Sequence, residues 1–213
     1  MGATETERDA PLVAIYADES CLGNGREGEN PGGAGVLVEY RRDGGALLRR
    51  DLWVSEPATT NNRMALRSVI ESFTALGRKG KRLRVVFTTD SRYIVDGMMT
   101  WVHDWARRGW KRKAGAIENL ELWQAAVRAA SAHEVEWRWV KGHAGHAQNE
   151  YANILAIRAA GDQTQSGGLV ESGYDAWAAG MSTGRTALRL EPFPEDGAFR
   201  AASRLPHLPA GRP

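Results

Sequence analysis

Two apolar runs in this chain each end on an aspartate, and that pairing restricts the folds open to it. Val13-Ala14-Ile15-Tyr16-Ala17 leads into Asp18, and Leu83–Thr89 leads into Asp90. Short unbroken apolar runs read as buried central strands. If the two are sheet neighbours, their carboxylates meet at one edge. A strand-terminal Asp on its own is more often a turn former or a helix cap, so the surrounding order has to decide.

That order is informative. Alternating runs at Gly35–Arg41 and Ala46–Val54 flank the turn Asp43-Gly44-Gly45, so the first three strands read as an antiparallel meander. Thr60-Asn61-Asn62 offers capping side chains for a helix that runs at helical spacing to Gly77. A helical pattern resumes at Ser91, is punctuated by Gly97 and Gly109, and returns over Glu118–Ala132. Val135, Trp137 and Trp139 alternate with charged residues as a half-buried strand. A Gly/His loop, Lys141–His146, then precedes a last amphipathic helix at Gln148–Ala160. The chain therefore reads as α/β: a mixed five-stranded sheet flanked by helices. Residues 1–11 read as a disordered leader and 12–160 as the domain. Five of the eight prolines lie beyond residue 190 and apolar periodicity is lost, so 161–213 reads as a weakly ordered tail, with Trp177 and Phe193 as docking points.

The lone Cys21 excludes a disulfide within the chain and any cysteine-based metal cluster. No apolar run approaches the roughly 18 residues of a membrane span, and the first residues are polar and acidic where a signal peptide needs an apolar stretch. A cytoplasmic location, no membrane partner and a monomer are expected. The net charge of +2 says little about partners, because it averages over local patches.

Four strings carry a specific resemblance: Ala17-Asp18-Glu19-Ser20-Cys21-Leu22-Gly23-Asn24, Thr59-Thr60-Asn61-Asn62-Arg63-Met64, Thr88-Thr89-Asp90-Ser91-Arg92-Tyr93, and Trp137 through His146. In order and spacing they resemble type 1 ribonuclease H, and the segment Trp101–Lys113 resembles that family's basic handle. The resemblance implies cleavage of the RNA strand of RNA/DNA hybrids by two divalent cations, Mg²⁺ or Mn²⁺, held by four acids. Two divalent ions suit that reaction by activating water and stabilising the leaving oxygen.

Carried over residue by residue, the strand acids are Asp18 and Asp90, the expected metal ligands, with His143 as a catalytic histidine assisting proton movement or product release. The two helix acids fall on Ala65, which cannot bind a metal, and Asn153, which offers a carbonyl oxygen without charge. Glu19 stands where the family has glycine. Two dications about 4 Å apart repel by about 16 kcal/mol at an effective dielectric near 20, which two carboxylates offset poorly. Three substitutes are conceivable. Glu19 would point to the opposite strand face from Asp18, Glu71 lies about 240° around the helix from Ala65, and Glu150 could share the face of Asn153.

Binding features are better kept. By resemblance Asn24, Asn61 and Asn62 contact sugar edges in the minor groove of the hybrid, and Arg92 favours phosphate. The handle sets Arg107, Arg108, Lys111, Arg112 and Lys113 against Asp104 alone, which suits phosphate contact. Trp110 belongs to this binding surface, while Trp101, Trp105, Trp110 and Trp123 are also expected to form the handle's small core. The reading is a hybrid-binding domain with weakened metal binding and weakened or absent cleavage. The alternatives are an active one- or two-metal nuclease, an engineered inactive form of one, and a scaffold subunit that binds a protein partner through its tail.

Overall fold

The computed structural model describes residues 10–23, 30–42, 45–78, 80–181 and 188–208. Strands β1 (Leu12–Cys21), β2 (Gly32–Arg41) and β3 (Leu47–Glu56) form the expected antiparallel meander. β4 (Arg84–Thr89) joins β1 in parallel, and β5 (Glu134–Trp139) joins β4 in parallel. The two aspartate-tipped strands are thus neighbours. The sheet has six strands in the order β5-β4-β1-β2-β3-β6, one more than expected. β6 is only Val170–Glu171, too short to leave a periodic signal, and pairs with β3.

Strand alternation divides the core in two. Val13, Ile15 and Ala17 of β1 face α1 (Asn61–Gly77) in the main cluster, with Ala65, Leu66 and Phe73. Ala14 and Tyr16 face the other way, onto Ala147, Tyr151 and Leu155 of α5 (Ala147–Asp162). β1 is buried on both faces, which is why its sequence reads as unbroken apolar rather than alternating. Helix α5 lies very close to β2: a Cβ on Gly33 or Gly35 would come within 2.2 Å of Ala156 O or 2.1 Å of Ala152 O. Only glycine permits that approach.

The handle is more continuous than its glycines suggest. α2 (Arg92–Asp96) runs through a π turn (Gly97–Trp101) into α3 (Val102–Arg107) without a break. Gly97 is there for space: a Cβ would meet the Trp123 ring at 2.0 Å. Trp123, on α4 (Leu120–Ala130), is fully buried and donates from Nε1 to the Tyr93 hydroxyl at 2.8 Å. Trp101 and Trp105 pack against it edge-on.

Residues beyond α5, expected to be weakly ordered, carry β6, α6 (Tyr174–Met181) and a series of seated contacts. Trp177 and Phe193 pack on the second core cluster, and Tyr151, Tyr174 and Trp177 meet ring to ring. Ala202 N donates to Val135 O at 2.8 Å on β5. Both outer strands are therefore covered by this segment, β3 by β6 and β5 by Ala202, which blunts exposed sheet edges. Scattered contacts of this kind leave no periodicity in the sequence.

Gly97→Ala should lower stability by about 1–3 kcal/mol through overpacking against Trp123. Thermal denaturation should show the melting midpoint falling by about 2–4 °C per kcal/mol.

Candidate active site

The site forms where β4 stops. Its last pairing to β1 is Thr89 with Ala17, so Asp18 and Glu19 extend past it, over the turn where Asp90 and Ser91 lead into α2. Asp18 continues the face of Ala14 and Tyr16. Its Oδ2 accepts from Asn149 Nδ2 at 3.1 Å, and its Oδ1 accepts from Glu19 N at 2.7 Å. Asn149 also donates to Ala17 O at 3.4 Å and is buried on α5.

Glu19 corrects one expectation. Its Cα does lie on the other face, that of Val13, Ile15 and Ala17, but this is the face where the missing acid at Ala65 would stand. Ala65 is buried in the same cluster as Ala17. With no β4 neighbour beyond Ala17, the long Glu19 side chain reaches over the strand end. Carboxylate oxygens of Asp18, Glu19 and Asp90 all lie within 4.8 Å of one another. The alternation rule gives the side of the sheet but does not limit how far a side chain reaches past a strand's tip.

Crowding sets the electrostatics. Burial, then the charge of Asp90, pushes the Asp18 carboxyl up to about 8, while the Glu19 amide and Asn149 hydrogen bonds pull it down. Burial and then Asp18 and Asp90 hold Glu19 well above the usual carboxylate range, against a hydrogen bond with Ser91. Asp90 is raised by burial and by Glu150, and His143 opposes this. Three raised carboxyls gathered at one strand end are a donor set that positive charge would stabilise, and all-oxygen ligands suit a hard divalent cation.

The other sequence candidates fall out as follows. Asn153 is half-buried on α5, one turn beyond Asn149. Glu150 stays outside the carboxylate cluster. Its Oε1 accepts from Gly145 N at 3.3 Å, and its Oε2 lies 3.8 Å from Nδ1 of the exposed His143. Glu71 is turned away and pairs with Arg67. Gly142 packs so closely on Asp90 that a Cβ would lie 2.1 Å from Oδ2.

Asn61 and Asn62 open α1, but the cap is Thr60, which accepts from Arg63 N at 3.3 Å. Asn61 Oδ1 is buried and makes no hydrogen bond among the described residues. Asn24 lies outside the described residues. The Arg92 guanidinium sits 4.0 Å over the Trp139 ring, whose Nε1 donates to Asp90 O at 2.9 Å. On the handle, Arg108 and Lys111 are exposed and Arg107 pairs with Asp104. Trp110 is only 8% exposed within the main core, so its ring has little surface to offer a ligand. Asn149 and Ser91 were missed as site residues: Ser91 stands inside a quoted string and Asn149 just beyond one, but nothing in the spacing distinguishes a carboxylate's partner from a filler.

A mixed sheet whose central parallel strands gather acids at their carboxyl ends is an α/β architecture with an edge that could hold a cation. This chain belongs to the ribonuclease H family: the RNase H family model matches residues 10–161. Ribonuclease H of Neisseria gonorrhoeae is 44% identical over 153 residues, covering 71% of this chain and 97% of that protein. Ribonuclease HI of Vibrio cholerae serotype O1 is 41% identical over 154 residues, covering 72% and 91%. Among solved structures, LC9-RNase H1 is described as a type 1 RNase H with the type 2 active-site motif. It superposes with a TM-score of 0.90 at 75% identity, covering 96% of this chain and 98% of that one. Among the described residues no helix is long and apolar enough to cross a membrane.

The raised Asp18 carboxyl has a consequence for stability. An acid whose folded pKa exceeds its unfolded value binds more protons when folded, so its contribution falls as pH rises. For Asp18 that loss runs from the ordinary 3.8 to about 8. In chelator, the stability advantage of Asp18→Asn over the parent should therefore grow between pH 5 and pH 8. Denaturant titration at the two pH values checks it, and added Mg²⁺ should stabilise the parent more than the variant.

Proposed function

We propose that this chain is a divalent-metal-dependent endoribonuclease acting on the RNA strand of RNA/DNA hybrids, with Asp18, Glu19 and Asp90 as its carboxylates. The observation that carries this reading is the Glu19 carboxylate beside the other two, on the sheet face left vacant at Ala65. The expectation of weakened or absent cleavage rested on counting two acids; three stand together. A 75% identical relative described as carrying a type 2 motif on a type 1 protein supports an acid set that is rearranged rather than lost.

Mg²⁺ or Mn²⁺ bound there would activate water and stabilise the leaving oxygen. The chain's own residues do the rest. Asn149 and the Glu19 amide hold the two oxygens of Asp18 in place. Trp139 ties down the Asp90 carbonyl, and Arg92 over its ring offers a cation to phosphate. Asn61 and Asn62 present neutral amides suited to 2′-hydroxyls, which distinguish an RNA strand. His143 sits exposed beside Glu150, within electrostatic reach of Asp90, placed to exchange a proton with solvent. Arg108 and Lys111 on the handle suit the backbone of the DNA strand.

The test is cleavage of a labelled hybrid in Mg²⁺ and in Mn²⁺, alongside hybrid binding in chelator. The parent should cut the RNA strand, and Glu19→Gln and Asp90→Asn should each reduce kcat on the order of 100-fold. Ala65→Glu should not raise activity, because it crowds a fourth carboxyl into the space Glu19 serves. Hybrid binding without cutting by the parent would sink this reading and return the chain to a binding role.

A further inference from the structure

The chain beyond the family-matched residues 10–161 returns to the base of the histidine loop. Arg189 N donates to Gly145 O at 2.7 Å, and Ala147 N donates to Arg189 O at 3.0 Å. Gln148 Nε2 donates to Glu191 O at 2.6 Å, and Glu191 N donates to Gln148 Oε1 at 3.1 Å. This zipper delivers the Glu191 carboxylate to two partners. Oε1 lies 3.3 Å from Arg138 Nη1, and Oε2 lies 2.6 Å from His146 Nε2.

His146 is buried and is the N-cap of α5: its Nδ1 accepts from Asn149 N at 3.3 Å. An Nδ1 that accepts carries no proton, so the neutral ring keeps its proton on Nε2 and donates it to Glu191. Glu191 thereby selects the tautomer in which the cap works. Tyr16 packs against the same ring, with centroids 5.6 Å apart, so ring rotation is restricted from a second side. The capped residue, Asn149, is the one whose side chain holds Asp18.

We propose that Glu191 is a positioning residue for the carboxylate centre, acting through His146 on Asn149 and so on Asp18. The inference rests on the metal-dependent reading above. It makes the C-terminal segment part of the active site's support, although among the described residues that segment makes no contact with the three carboxylates. Carboxylates that orient metal-ligating histidines elsewhere stand outside the ligand set themselves, yet their loss weakens metal affinity.

The experiment uses the full chain and compares the parent with Glu191→Ala and Glu191→Gln, all below their melting midpoints. Three quantities are read: the Asn149 side-chain amide signals by NMR, the Mg²⁺ Kd by calorimetry, and kcat and KM on the hybrid. Glu191→Ala should shift the amide signals, weaken Mg²⁺ binding about tenfold and lower kcat at limiting Mg²⁺, with KM within about twofold. Glu191→Gln retains an acceptor for Nε2–H and should recover metal affinity to within about threefold of the parent. A lowered melting midpoint with unmoved amide signals and unchanged Kd would overturn the proposal. So would a Gln variant no better than Ala. If the parent itself fails to cut while the amide signals shift as expected, the functional reading fails and the positioning contact stands.

Discussion

Repulsion among three carboxylates held within 4.8 Å is the constraint around which the rest of this structure is organised. Burial raises all three, and neighbouring carboxylates add to it: Asp90 for Asp18, Asp18 and Asp90 for Glu19, and Glu150 for Asp90. The surroundings resist that repulsion instead of relaxing it. β1 is packed on both faces, and the carboxylates at its end are tied by the Asn149 amide, the Glu19 backbone and a hydrogen bond with Ser91. Carboxyls pushed toward their neutral form and held close by a packed frame would ionise readily around a divalent ion.

The third carboxylate of the cluster comes from strand β1 and not from a helix. Asp18 and Glu19 are adjacent, and adjacent strand residues normally serve opposite faces. Here the neighbouring strand ends first, so both faces open onto one space at its tip. An acid from the strand can then stand in for one from helix α1, and Ala65 can be packed as core.

The segment after α5 extends the same logic of support. It covers both outer strands, seats Trp177 and Phe193 on the second core, and hydrogen-bonds to the base of the loop bearing His143. Its backbone pairs with residues 145 and 147 and exchanges two hydrogen bonds with the Gln148 side chain, which ties residues 189–191 to the start of α5.

By itself the sequence determined the order of the elements through α5 and the family, because periodicity and local strings are properties of near neighbours along the chain; that the two aspartate-tipped strands are sheet neighbours came from the structure. Asp18 and Asp90 as strand-end acids were legible for the same local reason. The number of carboxylates at the centre was not. Whether Glu19 joins Asp18 depends on where β4 ends relative to β1, a register between residues some seventy positions apart. Asn149 as the partner of Asp18 and the contacts made by residues 188–208 were hidden likewise. Each depends on contacts across the fold that leave no period in the sequence, and only tertiary packing decided them.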